Sequence, residues 1–347
     1  MQVTTNGHTQ VTPERIFQFT WGFTGPLSIE AALQHHIFDI IEAGSNTVDE
    51  IAAIAETAPR GTRILLNALT GLQFLTKHGD KYMLAPDTSQ FLVSGKPSYL
   101  GGFIHHITQN TLPLWMQLPK VVRTNEPLRI VSEEKEGAEY FQNFVSDLFP
   151  VNYNVARLLG ERLRLAASDQ PASVLDLAAG SGVWGIALAQ SAPKVTVTAV
   201  DWEGVIPATR KTVEKFGLTD RFTFVADDLE TADFGEGHTV ATLGHILHSE
   251  GETRSRDLLK RTFEALAPGG TIVIADWLVD EERATAVQQL IFAVTMLLMT
   301  KDGDTFSFEE IRGWLEEAGF EDVRLLDLPG ISPLVLATKP QGGQTNG

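Results

Sequence analysis

Along the first ninety or so residues, apolar side chains return at three- and four-residue intervals, the pattern of helices that bury one stripe. Ile29 to Ile41 carries that spacing. Thr47 with Glu50 three positions later forms a capping box, which predicts a second helix over Val48 to Glu56. A third helix is predicted from about Arg60 to about Leu72. The rhythm then shortens to Phe74-Leu75-Thr76 and Lys81-Tyr82-Met83-Leu84, two strands around a tight turn at His78-Gly79-Asp80. A polar stretch from Arg123 to Glu139 predicts the connection between two halves. A helix over about Tyr140 to Ala166 follows, and Ser168-Asp169-Gln170-Pro171 breaks the chain.

The second half alternates strands with helices, which predicts an α/β fold with a parallel sheet covered on both faces. The candidate strands are Ser173 to Leu177, Lys194 to Val200, Phe222 to Val225, Val240 to Leu243 and Thr271 to Ala275. Two more, Val323 to Leu328 and Pro333 to Ala337, flank Pro329-Gly330 and read as an antiparallel hairpin. Three helices and a hairpin in the first half form the layout of a winged helix. There Arg60, Arg63, Lys77 and Lys81 are outweighed by Asp49, Glu50, Glu56, Asp80 and Asp87, so the basic face of a DNA-binding version is missing. The domains expected are 11–100, winged-helix-like; 101–166, a helical connection; and 167–340, the α/β domain.

Charge and composition narrow the partners. The 347 residues carry a formal net charge of −17, a field that repels nucleic acid and anionic membranes. The apolar stretch Ala284 to Met299 is interrupted by Gln288 and Gln289 and is shorter than the roughly 20 residues that span a bilayer. Met1 to Gln10 lacks the layout of a signal peptide, and Gln341 to Gly347 reads as a disordered tail. With no cysteine, disulfides and thiolate chemistry are excluded. The expectation is a soluble cytoplasmic protein.

The sharpest local signal is Val174-Leu175-Asp176-Leu177-Ala178-Ala179-Gly180-Ser181-Gly182-Val183-Trp184-Gly185. A strand ends at an acid, turns through glycines and enters a helix, which lets the backbone pass close to a bound nucleoside. Asp201 ends the next strand, where an acid accepts hydrogen bonds from ribose hydroxyls. Asp176 suits a cationic methionine end better than a pyrophosphate. Trp202 is placed to lie against adenine, and Asp227-Asp228 stand where an adenine amino group is held. Together these favour S-adenosylmethionine over a dinucleotide.

From about Pro13 to Thr338 the chain resembles the class I S-adenosylmethionine-dependent methyltransferases. Within them it is most similar to the small-molecule O-methyltransferases that act on caffeate, acetylserotonin and bacterial polyketides. The resemblance rests on the glycine motif, on Leu266-Ala267-Pro268-Gly269-Gly270 and on Glu317-Ala318-Gly319-Phe320. It implies a seven-stranded Rossmann-like domain, an N-terminal dimerisation domain and a homodimer. Ala178 stands where the family more often has glycine. The resemblance also makes His248, which follows the fourth strand, the general base; the family's usual His-Asp-Trp is here His248-Ser249-Glu250. Asp276 takes the place of the acid that braces this histidine, and the position of a second one falls near Asp304 or Thr305, of which Asp304 is the candidate.

A neutral histidine suits proton removal from a phenol near neutral pH. His245 lies three residues from His248, but no clear third ligand accompanies the pair and no metal is expected. The family places Met296 and Thr300 along the acceptor ring. Phe292, Trp115 and Phe144 are further apolar wall candidates, with Met116, Phe141 and Met299 beside them and His105 and His106 as polar anchors. The leading expectation is O-methylation of a small aromatic or enolic hydroxyl. The alternatives are C- or N-methylation, or use of the cofactor without methyl transfer in hydroxylation, decarboxylation or a pericyclic step.

Overall fold

The structure is a computed structural model in which residues 4–5, 8–9, 11–142, 144–165, 170–330 and 332–342 are described. Most of the predicted tail, residues 343–347, lies outside them, as do Ser168 and Asp169 of the predicted chain break and most of Met1 to Gln10. The chain divides into two compact units, Met1–Asn110 and Thr111–Gly347. The polar stretch Arg123 to Glu139 therefore belongs to the second unit rather than connecting the two. Its amides at Leu128 and Val131 donate to the carbonyls of Leu298 and Met299, and Val131 is buried among Val121, Leu298 and Met299.

In the first unit, α1 (Thr24–Gln34), α2 (Ile37–Glu42), α3 (Val48–Ile54) and α4 (Pro59–Gly71) precede a hairpin of β1 (Leu75–His78) and β2 (Lys81–Leu84). The single helix predicted over Ile29 to Ile41 is two. His36 takes a left-handed φ of 54°, and this break re-aims α2 so that Ile37, Phe38, Ile40 and Ile41 are all buried. The predicted capping box is present: Thr47 Oγ1 accepts from the Glu50 amide, and the Glu50 carboxylate accepts from the Thr47 amide. Ile37, Phe38, Ile51, Leu66, Leu69, Leu75 and Tyr82 form the core of this unit. The buried Tyr82 hydroxyl donates to Asn67 Oδ1 at 2.8 Å, so the ring enters the core without an orphaned polar group.

The second unit holds a seven-stranded sheet. Its strands are β3 (Ala172–Leu177), β4 (Val195–Asp201), β5 (Phe222–Ala226), β6 (His238–Gly244), β7 (Leu266–Ala275), β8 (Glu321–Leu326) and β9 (Leu334–Thr338). They lie in the order β8-β9-β7-β6-β3-β4-β5. The first five are mutually parallel, and β9 runs antiparallel between β7 and β8, as the hairpin reading predicts. Alternate residues feed opposite faces. Val174 joins one core with Val197, Val240 and Val273, while Leu175 and Leu177 join another with Val200, Leu243 and Ile274. Both faces of the central strands β3, β6 and β7 are covered, so most of their residues are buried, whereas the edge strand β8 is largely exposed.

The helices used below are α5 (Val145–Arg162), α6 (Val183–Ser191), α7 (Ile206–Lys215), α8 (Leu247–Ala265) and α9 (Val287–Met299). The long helix predicted from Tyr140 is divided: Glu134–Gln142 is one helix and α5 another. Because β4 and β6 lie on opposite sides of β3, chain order reverses at β3. The carboxyl ends of β3, β4, β6 and β7 therefore open one crevice, where ligands of such sheets bind. Among the described residues, no helix is long and apolar enough to cross a membrane.

Candidate active site

The turn after β3 is built from backbone conformations that L-residues avoid. Gly180 and Gly182 have φ of 54° and 76°, and Ala178 has φ of 51° although it carries a Cβ. Gly185 lets α6 lie close on the sheet: a Cβ there would sit 2.8 Å from Val197 Cγ1 and 2.9 Å from Asp176 Oδ2.

The acids around this turn do different work from one another. Asp176 is fully buried; its Oδ2 accepts from the Gly185 amide at 2.9 Å and its Oδ1 from Thr242 Oγ1 at 2.7 Å. Each oxygen thus holds a donor from the protein, and the carboxylate anchors the start of α6. Burial pushes its carboxyl up to about 7 against the pull of these two hydrogen bonds. Asp201 lies at the edge of the crevice. Its Oδ2 accepts from the Gly180 amide at 2.7 Å and its Oδ1 from the Trp202 amide at 2.8 Å. Each oxygen keeps a lone pair to offer, although burial pushes this carboxyl up to about 6.

Trp202 donates from Nε1 to Asp228 Oδ2 at 2.7 Å. Its six-membered ring lies against Gly137, where a Cβ would sit 2.4 Å from Cζ3. Gly137 had no signal in the sequence, because nothing ties that polar stretch to the end of β4. Asp227 is exposed, and its Oδ1 accepts from the Asp228 amide and from Thr231 Oγ1.

At the other end of the crevice, His248 lies in the first turn of α8. Its Nδ1 is 2.7 Å from Oδ1 of the buried Asp276, and its amide donates to Oδ2 at 3.2 Å. A carboxylate only accepts, so Nδ1 donates and Nε2 keeps its lone pair. Burial raises the Asp276 carboxyl, but the charge and hydrogen bond of His248, with smaller help from His245 and the Trp277 amide, outweigh it and hold the group below its usual range. Phe292 meets His248 edge-on at 4.9 Å and stacks on Trp277 at 4.3 Å and 15°. Trp277 was not foreseen. An aromatic residue directly after a strand-end acid at the carboxyl edge was its available signal.

His245 takes a left-handed φ of 62°, and its Nε2 lies 3.1 Å from Asn152 Oδ1 on α5. Burial pushes this imidazole down to about 4, with the nearby Asp276 pulling the other way. Asp304 does not reach the imidazole. Its carboxylate is exposed and accepts from the Thr305 amide, while its own amide donates to the His248 carbonyl at 2.9 Å. What it braces is the histidine's backbone.

Phe292 is thus the foreseen wall residue placed directly on the histidine. Met296 and Thr300 are buried at the end of the same helix, and the Thr300 hydroxyl donates to the Met296 carbonyl and accepts from the Gly303 amide. Trp115 donates from Nε1 to Thr295 Oγ1 on that helix at 3.3 Å. Phe144 packs near Tyr140, with ring centroids 6.1 Å apart. Among the described residues, no group of three or more His, Asp or Glu could hold a metal ion.

Two family models match the chain: an O-methyltransferase domain over residues 152–321 and an O-methyltransferase dimerisation domain over residues 17–94. The chain is 27% identical to 3-hydroxy-5-methyl-1-naphthoate 3-O-methyltransferase of Streptomyces sahachiroi, over 94% of this chain and 95% of that protein. It is 28% identical to the tetracenomycin polyketide synthesis 8-O-methyl transferase TcmO of Streptomyces glaucescens, over 96% and 99%. Its fold is similar to that of human N-acetylserotonin methyltransferase, solved in complex with S-adenosylmethionine, with a TM-score of 0.81, 21% identity and coverage of 96% and 100%.

Proposed function

The chain belongs to the S-adenosylmethionine-dependent small-molecule O-methyltransferases, and from that footing we propose that it methylates a hydroxyl of a small aromatic or enolic molecule with His248 as general base. The observation that carries this reading is the 2.7 Å bond from His248 Nδ1 to Asp276, which leaves Nε2 as a lone pair backed by a buried carboxylate. Nε2 removes the hydroxyl proton, and Asp276 stabilises the imidazolium that results. Proton removal would leave the acceptor oxygen as the nucleophile for in-line displacement of S-adenosylhomocysteine from the methyl carbon. When bound, S-adenosylmethionine supplies a methyl group already activated by its sulfonium, so the protein's task is to orient the acceptor and take the proton. The Trp277–Phe292 stack gives a planar acceptor an apolar wall beside the base.

The residues around the β3 turn fit this cofactor. Gly180 and Gly182 keep the turn free of side chains, and Asp201 has a lone pair on each oxygen for the two ribose hydroxyls. Trp202 would lie on the adenine, with Asp227 and Asp228 at its rim. Asp176 would serve indirectly, by holding the turn. The first unit, including 11–100, would pair two copies in a cytoplasmic homodimer. Exposed Ile16, Phe17, Phe19, Trp21 and Phe23 support this, since so many apolar side chains in eight residues mark an interaction surface.

The test is transfer of labelled methyl from S-adenosylmethionine to a panel of phenols and naphthols, for wild type and His248→Ala. The expected result is a methyl ether from the wild type and a loss of about a hundredfold or more in kcat for the variant, with binding of S-adenosylhomocysteine unchanged. Methylated amines or carbon acids in place of ethers would overturn the hydroxyl reading. An unchanged kcat in His248→Ala would overturn the base.

A further inference from the structure

The His248 turn carries a second group that the chemistry above does not use. Glu250 is two residues beyond the base, its side chain is only 5% exposed, and it is one of the two positions where the histidine triplet departs from the family's. A buried carboxylate needs a partner, and the partner here is Arg254, whose Nε lies 2.5 Å from Glu250 Oε2. The same guanidinium lies 3.2 Å from Glu230 Oε1 and 3.7 Å from Asp228 Oδ1. Asp228 in turn accepts the Trp202 indole N–H on Oδ2 and the Glu230 amide on Oδ1. One cation from α8 therefore joins the turn that holds the base to the segment after β5, and through it to the tryptophan at the end of β4. With Nε toward Glu250 and Glu230 and Nη2 toward Asp228, the guanidinium acts as a shared positive centre for three carboxylates.

We propose that Arg254 is a positioning residue for the cofactor: held by Glu250 in the base turn, it fixes Asp228 and, through Asp228, the plane of the Trp202 indole. The proposal rests on the reading that Trp202 and Asp228 flank the adenosine. Without Arg254, Asp228, Glu230 and Glu250 would repel one another with no cation between them. Burial already pushes the Glu250 carboxyl up to about 7, with Arg254 pulling it back and Asp228 and Glu230 pushing the other way. Asp228 would then turn toward water, and Trp202 would lose the acceptor that orients it. Gly137 packs against the six-membered ring of that indole, so the indole's position is set by this contact and by the Asp228 bond to its N–H. The same link joins adenosine affinity to the His248 turn, which is the use we assign to a buried glutamate at this place.

The experiment is calorimetric binding of S-adenosylhomocysteine to the full chain and to Asp201→Ala, Arg254→Gln, Arg254→Lys, Glu250→Gln, Asp228→Asn and the Asp228→Asn/Glu250→Gln double variant. Arg254→Gln is expected to weaken binding about tenfold and Arg254→Lys to recover part of the loss, because the charge is kept and the fork is not. Glu250→Gln is expected to cost about threefold although it does not touch the ligand. The double variant is expected to be clearly less impaired than the product of the two single losses, since both act through one guanidinium. A general loss of packing would not produce that non-additivity, and thermal melts identify any variant that fails to fold; if Arg254→Gln does, Arg254→Lys and Glu250→Gln decide. If Asp201→Ala weakens binding tenfold while Arg254→Gln and Glu250→Gln stay within twofold of wild type, the positioning role is wrong and the cofactor site stands. If Asp201→Ala and Asp228→Asn also bind as wild type does, the reading of the cofactor site fails, and this proposal with it.

Discussion

Asp176 and Asp276 end strands of one sheet at the same edge, and both are almost completely buried. Burial alone drives both carboxyls upward, yet Asp176 is pushed up to about 7 while Asp276 is held below its ordinary range. The difference is the partner. Asp176 accepts from a threonine hydroxyl and a backbone amide, both neutral, and these recover only part of the lost hydration. Asp276 faces an imidazole that can carry a charge, and the attraction outweighs the desolvation. The two ends of the crevice are thus built on opposite principles: the glycine turn uses a carboxylate as a backbone anchor, and the histidine turn uses one as a charge reservoir.

The largest effect comes from neutralising the reservoir. Asp276→Asn keeps the shape but removes the charge that stabilises the imidazolium, and it allows the wrong tautomer of His248. A fall in kcat of about a hundredfold or more is expected, with binding of S-adenosylhomocysteine within threefold of wild type and the fold intact by circular dichroism. A kcat within tenfold of wild type would mean that the carboxylate here is an anchor like its counterpart.

The next effect belongs to the glycine end but lies outside its motif. Gly137→Ala places a methyl 2.4 Å from the Trp202 ring, less than any real carbon contact, so the indole must move. Binding of S-adenosylhomocysteine is expected to weaken by about tenfold, or about 1.4 kcal/mol, in calorimetry. An unchanged affinity would show that the cofactor does not depend on the plane of Trp202.

These two residues also mark where the sequence could be read. Asp276, His248, Asp201 and the glycine turn were legible because each follows the carboxyl end of an apolar strand, and parallel topology then gathers them at one edge. The capping box at Thr47 and the antiparallel last pair were legible because they depend only on neighbours in sequence. Gly137, Trp277 and the inward turn of Asp176 were not. Whether a strand-end acid faces a ligand or the core is decided by Thr242 on the adjacent strand, a partner 66 residues away in sequence. The break of the first predicted helix at His36 was hidden for a similar reason: helical spacing continues through it, and tertiary burial of Ile37 and Phe38 sets the new direction. Asp304 was named for its side chain, whereas the contact that forms is made by its backbone.

A smaller effect separates the two acids by pH. The Asp176 carboxyl is raised from an ordinary value of 3.8 to about 7, so the folded chain holds this proton more tightly than the unfolded chain. Its contribution to stability is full below about pH 4 and is lost as pH rises through 7, with a slope of at most about 1.4 kcal/mol per pH unit. Asp276, lowered in the fold, contributes in the opposite sense and loses its share as pH falls through its depressed value. In Asp176→Asn the amide oxygen can accept from Gly185 while its nitrogen donates to Thr242, so the anchor survives without titrating. Denaturant midpoints measured from pH 5 to 8 should then decline less steeply than in the wild type, with Asp201 up to about 6 and Glu250 up to about 7 supplying the remaining fall and His245, pushed down from 6.5 to about 4, opposing it at the acid end. An unaltered slope would mean that Asp176 is not the buried acid described here, and a loss of cofactor affinity beyond threefold would return it to the ligand.

The smallest effect tests how closely the glycine turn is set by backbone rather than side chain. Ala178 holds a φ of 51°, a left-handed conformation that costs an L-residue about 1 kcal/mol and glycine almost nothing. Its neighbours enforce it: the Ala179 amide donates to the Val200 carbonyl at 3.1 Å, and the Gly182 amide closes back on the Ala179 carbonyl at 2.7 Å. Ala178→Gly relieves that strain and also enlarges the freedom of the unfolded chain, two effects of opposite sign. Where the native φ is positive the first wins, so a gain of about 0.5 to 1 kcal/mol is expected, read as a rise of a few degrees in Tm with unchanged binding of S-adenosylhomocysteine. A fall in Tm would mean that the alanine methyl packs well enough to outweigh its strained backbone, and the turn would then owe part of its shape to a side chain after all.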